Sequence, residues 1–454
     1  MKLEEQIQRQ RAFFQTNQTK ALGFRKKQLQ QLRRSILHHE EALYAALKAD
    51  LNKSKQEAFL TEIGIVLGEI SNAIRNLEKW ARPVKKRTPR STFPGKSQVF
   101  KEPYGVVLIL SPWNYPFQLA FAPLVGALAA GNCAVVKTSG SSVHTGKVME
   151  AILKEAFTPE QVLCLGQEAR HQEILAQKYD YIFFTGSGRV GRTVMEAASK
   201  HLTPLSLELG GKSPCFVHST ADLDLAAKRI AWGKFLNSGQ TCVAPNYLLV
   251  DKEIKAELIE KLKVQILAMY GEAINNEDYP KIINGHHFNR LAELIAGEPN
   301  KWGGQQDEGK LKIAPTIFPC TQKGDEIMKE EIFGPILPIM EYATEEEAIQ
   351  WVSQGPKPLA CYVFAQNKGF IQQVLQSLSF GGGCINDVIM HLANHHLPFG
   401  GVGESGMGSY HGQHSFDTFS HQKSILKSAT WLDIPLRYPP YTEKKLNIAK
   451  GILK

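Results

Sequence analysis

The sequence predicts an α/β protein: a doubly wound parallel-sheet domain, a second α/β domain, and a small β element beside them. Three observations support this. Between residues 106 and 201, short runs of Val, Ile, Leu and Phe alternate with longer helical patterns, as expected of βαβ units and a parallel sheet. A second βα region runs from residue 208 to about 392. With 454 residues the chain exceeds one ordinary hydrophobic core, so two or three domains follow.

Residues up to about Trp80 read as helical. Leu29, Leu32, Ile36, Leu43 and Leu47 recur at helical spacing and predict one apolar stripe on a helix. Residues 83–101, rich in Pro, Lys, Ser and Thr, predict an extended hairpin leaving the first domain. The alternation then gives strand 105–110, helix 115–130, strand 133–137, helix 143–157, strand 179–184 and helix 190–201. In such sheets ligands sit at the C-terminal ends of the strands. Helix 254–270 and strand 336–340 exemplify the second region, which a Gly-rich segment and a Pro- and Lys-rich tail follow. These patterns separate 1–82 and 102–207 from 208–392, with the 83–101 excursion and the 393–454 tail outside both.

Composition narrows the function classes. Hydrophobic residues at 43% and charged residues at 21% are those of a soluble globular protein. The seven cysteines form no CxxC pair, which argues against a disulfide framework or a zinc site. Glu4 and Glu5 replace the apolar core of a signal peptide, the apolar stretch 119–130 is too short to span a bilayer, and the tail is Lys-rich. A cytoplasmic protein without a membrane anchor is therefore expected. The net charge of +9 permits attraction to anionic surfaces, but the basic run 85–90 lacks interleaved aromatics and reads as a solvated face, with no nucleic-acid partner expected.

The segment Asn237-Ser238-Gly239-Gln240-Thr241-Cys242 sets a cysteine in a small polar loop between apolar stretches, which predicts an exposed thiol. Cys133, Cys164, Cys215, Cys320, Cys361 and Cys384 read as buried structural residues. Cysteine attacks as the thiolate, and a free pKa of roughly 8.5 means that a useful site must supply dipoles or a base. Glu208, closing an apolar run beside Gly210 and Gly211, is a candidate base; a sheet or helix cap is its alternative. Gly186-Ser187-Gly188-Arg189-Val190-Gly191 follows a strand and opens a helix, the context of a dinucleotide-binding turn whose helix N-terminus favours phosphate. Arg189 either touches phosphate or is solvated.

Three more stretches join these: Pro112-Trp113-Asn114-Tyr115-Pro116-Phe117, Glu330-Glu331-Ile332-Phe333-Gly334-Pro335, and the run from Pro398-Phe399-Gly400-Gly401 to Gly412. In order and separation these three, together with the Glu208 and Cys242 segments, resemble the aldehyde dehydrogenase superfamily, from the first helix to Phe419. The Trp-Asn-Tyr-Pro form, Cys242-Val243-Ala244-Pro245 and Ser405-Gly406-Met407-Gly408-Ser409-Tyr410-His411-Gly412 look most like its class 3 members, which include fatty and aromatic aldehyde oxidisers.

The resemblance implies a cofactor domain, a catalytic domain and a bridging or oligomerisation element, in the division given above, and a homodimer. It implies NAD or NADP bound by the Gly186–Gly191 turn, by Lys137 on the adenosine ribose, and by Glu331 with Phe333 at the nicotinamide ribose. Cys242 becomes the nucleophile, Asn114 with the Cys242 main-chain N–H the oxyanion site, and Glu208 the base that hydrolyses the thioester. Tyr115, Tyr410 and His411 resemble the substrate lining, consistent with medium to long aliphatic or aromatic aldehydes; each is equally a core or interface residue. A coenzyme A-acylating relative would typically lack Glu208, and a non-enzymatic role would not keep the whole set. Relatives commonly carry a carboxylate where this chain has Gly140, three residues after Lys137. Its absence predicts use of NADP at least comparable to NAD.

Overall fold

The computed structural model describes residues 2–166 and 168–453. The first sheet has six strands in the order Gly406–Met407, Leu205–Leu209, Tyr181–Gly186, Val106–Leu110, Cys133–Lys137, Val162–Leu165. All neighbours are parallel except Gly406–Met407, which runs antiparallel to Leu205–Leu209. Chain order along the five parallel strands reverses between Val106–Leu110 and Tyr181–Gly186, the switch point at which a doubly wound sheet opens a crevice beyond its strand ends. Strand Val162–Leu165 and the short helix His171–Leu175 escaped the sequence reading, both being only a turn or so of weakly patterned residues.

Alternation along the strands divides the packing. Val107 and Ile109 join the core shared with the N-terminal helices, while Val106, Leu108 and Leu110 face a second cluster with Ile7 and Val194. Helix Gln118–Ala130 is buried on every side, which explains its unbroken apolar composition. It starts at Gln118 rather than at 115, because the Glu62 carboxylate accepts from the Phe117 and Gln118 main-chain N–H groups and fixes the first turn there. The stripe from Leu29 to Leu47 is fully buried but belongs to two helices, Leu22–His38 and Glu40–Leu51. The break at His39 falls within the seven-residue step between Ile36 and Leu43, which a helix-period reading passes over.

The second sheet has seven strands in the order Trp302–Gly303, Thr316–Phe318, Ile336–Tyr342, Tyr247–Asp251, Pro214–Val217, Ala360–Phe364, Gly382–Ile385. Its first pair is antiparallel and the rest are parallel. The expected hairpin is present: Val84–Lys86 pairs antiparallel with Lys96–Pro103, and Ser420–Lys427 pairs along the full length of that second strand. Among the described residues no helix is long and apolar enough to cross a membrane.

Candidate active site

Chain segments from both sheets meet at one place. Glu208 lies on the last parallel strand of the first sheet, six residues before strand Pro214–Val217 of the second. Asn114 follows strand Val106–Leu110, and Cys242 follows helix Leu223–Phe235. Asn237, Ser238 and Gly239 all have positive φ (51°, 52° and 72°), strain that persists only where surroundings enforce it. The enforcing bonds run from Ser238 Oγ to the Pro280 carbonyl (2.6 Å), from Gln240 Nε2 to the Lys281 carbonyl (3.0 Å), and from the Ile283 N–H to Gln240 Oε1 (3.0 Å).

The loop is therefore buried, not exposed as its polar composition suggests, and Cys242 itself is half-buried. Loss of water pushes its thiol up to about 12, the carboxylates of Glu331 and Glu208 push further, and the main-chain N–H groups of Cys242 and Val243 pull back. Glu208 is buried, both of its carboxylate oxygens lack a hydrogen-bond partner among the described residues, and burial raises its carboxyl well above the usual range. An unpartnered buried carboxyl beside a thiol is costly for folding alone, so its environment suits a group that meets water or substrate. The Asn114 side-chain amide donates one hydrogen bond to the Gln240 carbonyl (3.0 Å), two residues before Cys242. Its second N–H has no partner among the described residues.

The other expected site residues divide. Lys137 is buried at the end of its strand, where Nζ donates to the Thr138 carbonyl (2.7 Å) and burial lowers its pKa. Gly186 ends its strand and a side chain there would strike the Phe184 ring; Gly188, Arg189, Val190 and Gly191 form the first turn of helix Gly188–Ser199, with Ser187 before it. Gly191 lets that helix approach Leu209, Val190 packs against the sheet cluster, and Ser187 and Arg189 are exposed. Glu331 accepts from the Gly211 N–H and is raised to about 8, burial outweighing Gly211, Lys234 and Arg290. The Phe333 ring meets Trp113 edge-on at 5.3 Å. A dinucleotide fits this crevice: a side chain at Gly140 would meet nothing within 4 Å, and the helix N-terminus lies at the switch point.

Tyr115 donates to or accepts from Thr241 Oγ1 at 2.6 Å, beside Cys242, and the buried Tyr410 hydroxyl is raised by burial and then by Glu208 and Cys242. His411 is buried at φ 85°, stacked on Phe399 at 5.3 Å, and faces His391, His395 and His414. Of the other cysteines, Cys133, Cys215 and Cys361 are buried as expected; Cys164 and Cys384 are half-buried, and Cys320 is exposed, just past the end of strand Thr316–Phe318.

Some residues escaped the sequence reading. Glu168 pulls Lys137 upward through space, a small effect beside the lowering by burial. Lys234 is buried and lowered to about 7, with Glu331 opposing the shift. Lys53, Glu57 and Glu62 lie behind the Asn114 turn. None shows a local spacing signal; long-range pairing alone brings each to the site.

The fold and the site together define a dinucleotide-dependent oxidoreductase with two α/β sheets meeting at a cysteine. The aldehyde dehydrogenase family model matches residues 2–425, and the chain belongs to that family. It is an NAD(P)-dependent aldehyde dehydrogenase of the class 3 type. It is 46% identical to 4,4'-diaponeurosporen-aldehyde dehydrogenase of Staphylococcus aureus, over 97% of each chain. It is also 46% identical to the dimeric NADP-preferring aldehyde dehydrogenase of Canis lupus familiaris, over 98% of this chain and 99% of that one. Among solved structures, substrate-bound Staphylococcus aureus AldH superposes with a TM-score of 0.97 at 44% identity, covering 100% of this chain and 99% of that one.

Proposed function

We propose that Cys242 is the nucleophile, Asn114 with the Cys242 main-chain N–H the oxyanion site, and Glu208 the hydrolytic base of an enzyme that oxidises medium to long aliphatic or aromatic aldehydes. The observation that carries this reading is the pairing of a loop-held thiol with a buried carboxylate that acts on it through space and has no hydrogen-bond partner among the described residues. Cys242, as thiolate, bonds to the aldehyde carbon, and the carbonyl oxygen takes the negative charge against the free N–H of Asn114 and the Cys242 amide. The adduct carbon then loses a hydride, for which NAD or NADP, when bound, would supply the acceptor, and a thioester remains. Glu208, once ionised, takes a proton from a water whose oxygen attacks the thioester carbon, and the Cys242 sulfur departs with the C–S electrons to leave the acid.

In the same reading 1–82 with 102–207 bind the cofactor, through the Gly186–Gly191 turn, Lys137, Glu331 and Phe333; 208–392 carry the nucleophile; and 83–101 with 393–454 bridge two copies. The rings of Tyr115 and Tyr410 beside Cys242 support an apolar substrate, as does a relative named for 4,4'-diaponeurosporen-aldehyde. His411 stands one residue further out. A cytoplasmic homodimer completes the proposal. Replacing the nucleophile tests it: Cys242→Ala is expected to abolish dehydrogenase and ester-hydrolysing activity together with little change in thermal stability. More than a few per cent of either activity in that variant would place the chemistry elsewhere.

A further inference from the structure

Behind Asn114 lies a buried charged cluster that neither the substrate nor the cofactor reading uses. Lys53 and Glu62 form an ion pair at 2.6 Å with both side chains wholly inaccessible. Lys53 Nζ also donates to the Asn114 carbonyl (3.1 Å) and lies 4.0 Å above the Tyr115 ring. The same carbonyl accepts from Asn237 Nδ2 (2.9 Å), and the Asn237 main-chain N–H donates to Glu57 Oε1 (3.0 Å). The other Glu62 oxygen holds the N–H groups of Phe117 and Gln118 at 2.9 and 3.1 Å. A buried ion pair is weak grounds for stability, since apolar residues of similar volume often serve as well or better. Its partners here are the Asn114 carbonyl and the N–H groups of Phe117 and Gln118 just after it, while Glu57 beside the pair holds the strained loop that carries Cys242.

The local backbone is shaped for this. Glu57 and Glu62 are five residues apart, which on an α-helix would turn them about 140° away from each other. The chain instead makes a π turn at Phe59–Ile63 between helices Lys55–Ala58 and Gly64–Ala81, and i to i+5 bonding brings such residues onto one face. Both carboxylates then face Lys53, Glu62 by a direct bond and Glu57 through space.

We propose that Lys53, Glu62 and Glu57 are positioning residues: a buried charged clamp that locks the Asn114 turn to the Cys242 loop and thereby aims the free Asn114 N–H at the developing oxyanion. The proposal rests on Asn114 being the oxyanion donor. A catalytic group displaced by about 1 Å loses rate by about 10²-fold, so a clamp with no contact to the substrate has leverage on the chemical step.

The test removes both charges at once with Lys53→Met/Glu62→Gln, alone and on top of Asn114→Ala, and follows the pre-steady-state burst of NAD(P)H. The paired variant is expected to slow the burst about 10- to 100-fold, while aldehyde KM, cofactor affinity and the rate of Cys242 alkylation by iodoacetamide each stay within about threefold. On the Asn114→Ala background, itself slowed about 10²- to 10³-fold, the pair should add almost nothing, because its effect runs through the missing amide. A folded paired variant with the parental burst rate overturns the clamp, as does an undiminished further loss without Asn114. If Asn114→Ala alone leaves the burst unchanged, the oxyanion assignment fails and the clamp fails with it. Lys53→Arg keeps the charge but moves the donor; should the paired variant not fold, the same burst and alkylation measurements on Lys53→Arg decide the matter by the same criteria.

Discussion

At residue scale the side chains proposed to carry the chemistry stand out in the sequence, and the residues that support them do not. Cys242, Glu208 and Asn114 stand in segments whose Gly, Pro and polar neighbours mark sharp turns after apolar runs, so type and context pointed to them together. The half-buried state of Cys242 was hidden, because the polar side chains of Asn237, Ser238 and Gln240 spend themselves on distant carbonyls rather than on water. Cofactor choice shows the same limit. Gly140 leaves open space near Lys137, yet Glu168 acts on that lysine through space from another segment. We expect kcat/KM for NADP and NAD to agree within about tenfold with a single aldehyde. Gly140→Glu should depress NADP use more than NAD use, and Glu168→Gln should favour NADP. A hundredfold preference for NAD in the parent, about 2.7 kcal/mol, would contradict this.

At the scale of elements, the βα alternation fixed strand and helix types because apolar runs of five residues and helices of twelve or more differ plainly in period. Helix boundaries failed where the cap comes from far away, as with Glu62 at Gln118, and the helix break at His39 failed because both flanking helices keep one buried stripe. The Gly-rich segment that crosses Glu208 carries its own stability signature. Burial lowers His411 to about 3 and His391 to about 4, so both are neutral in the fold. Above the unfolded histidine pKa near 6.5 neither state takes up the proton and this contribution is intact; as pH falls from there toward 4, only the unfolded chain binds protons and stability is lost. Thermal melts should fall in midpoint between pH 6.5 and 4, by an amount on the order of a few kcal/mol in stability for His411. His411→Asn, which tolerates the positive φ, should flatten that dependence. An equally steep decline in the variant would mean that other groups control acid unfolding.

For the whole molecule, sheet type followed from alternation, whereas the coming together of residues 53, 114, 208 and 242 could only come from three-dimensional packing. Ser420–Lys427 shows an open edge with Ile425 and Leu426 exposed, and Gly382–Ile385 is one edge of the seven-stranded sheet; such edges call for cover, which the proposed homodimer would supply. Light scattering at micromolar concentration should give a dimer mass, and a stable monomer or a tetramer would contradict it. The central claim is that one thiol and one carboxylate divide the reaction into acylation and hydrolysis, and a rapid-mixing experiment on Glu208→Gln tests it most directly. Aldehyde and cofactor should give a burst of NAD(P)H near one per site, followed by steady turnover lower by about 10²- to 10⁴-fold, because only the water-activated step has lost its base. A folded variant with undiminished turnover, or with neither burst nor turnover, would show that Glu208 is not the hydrolytic base.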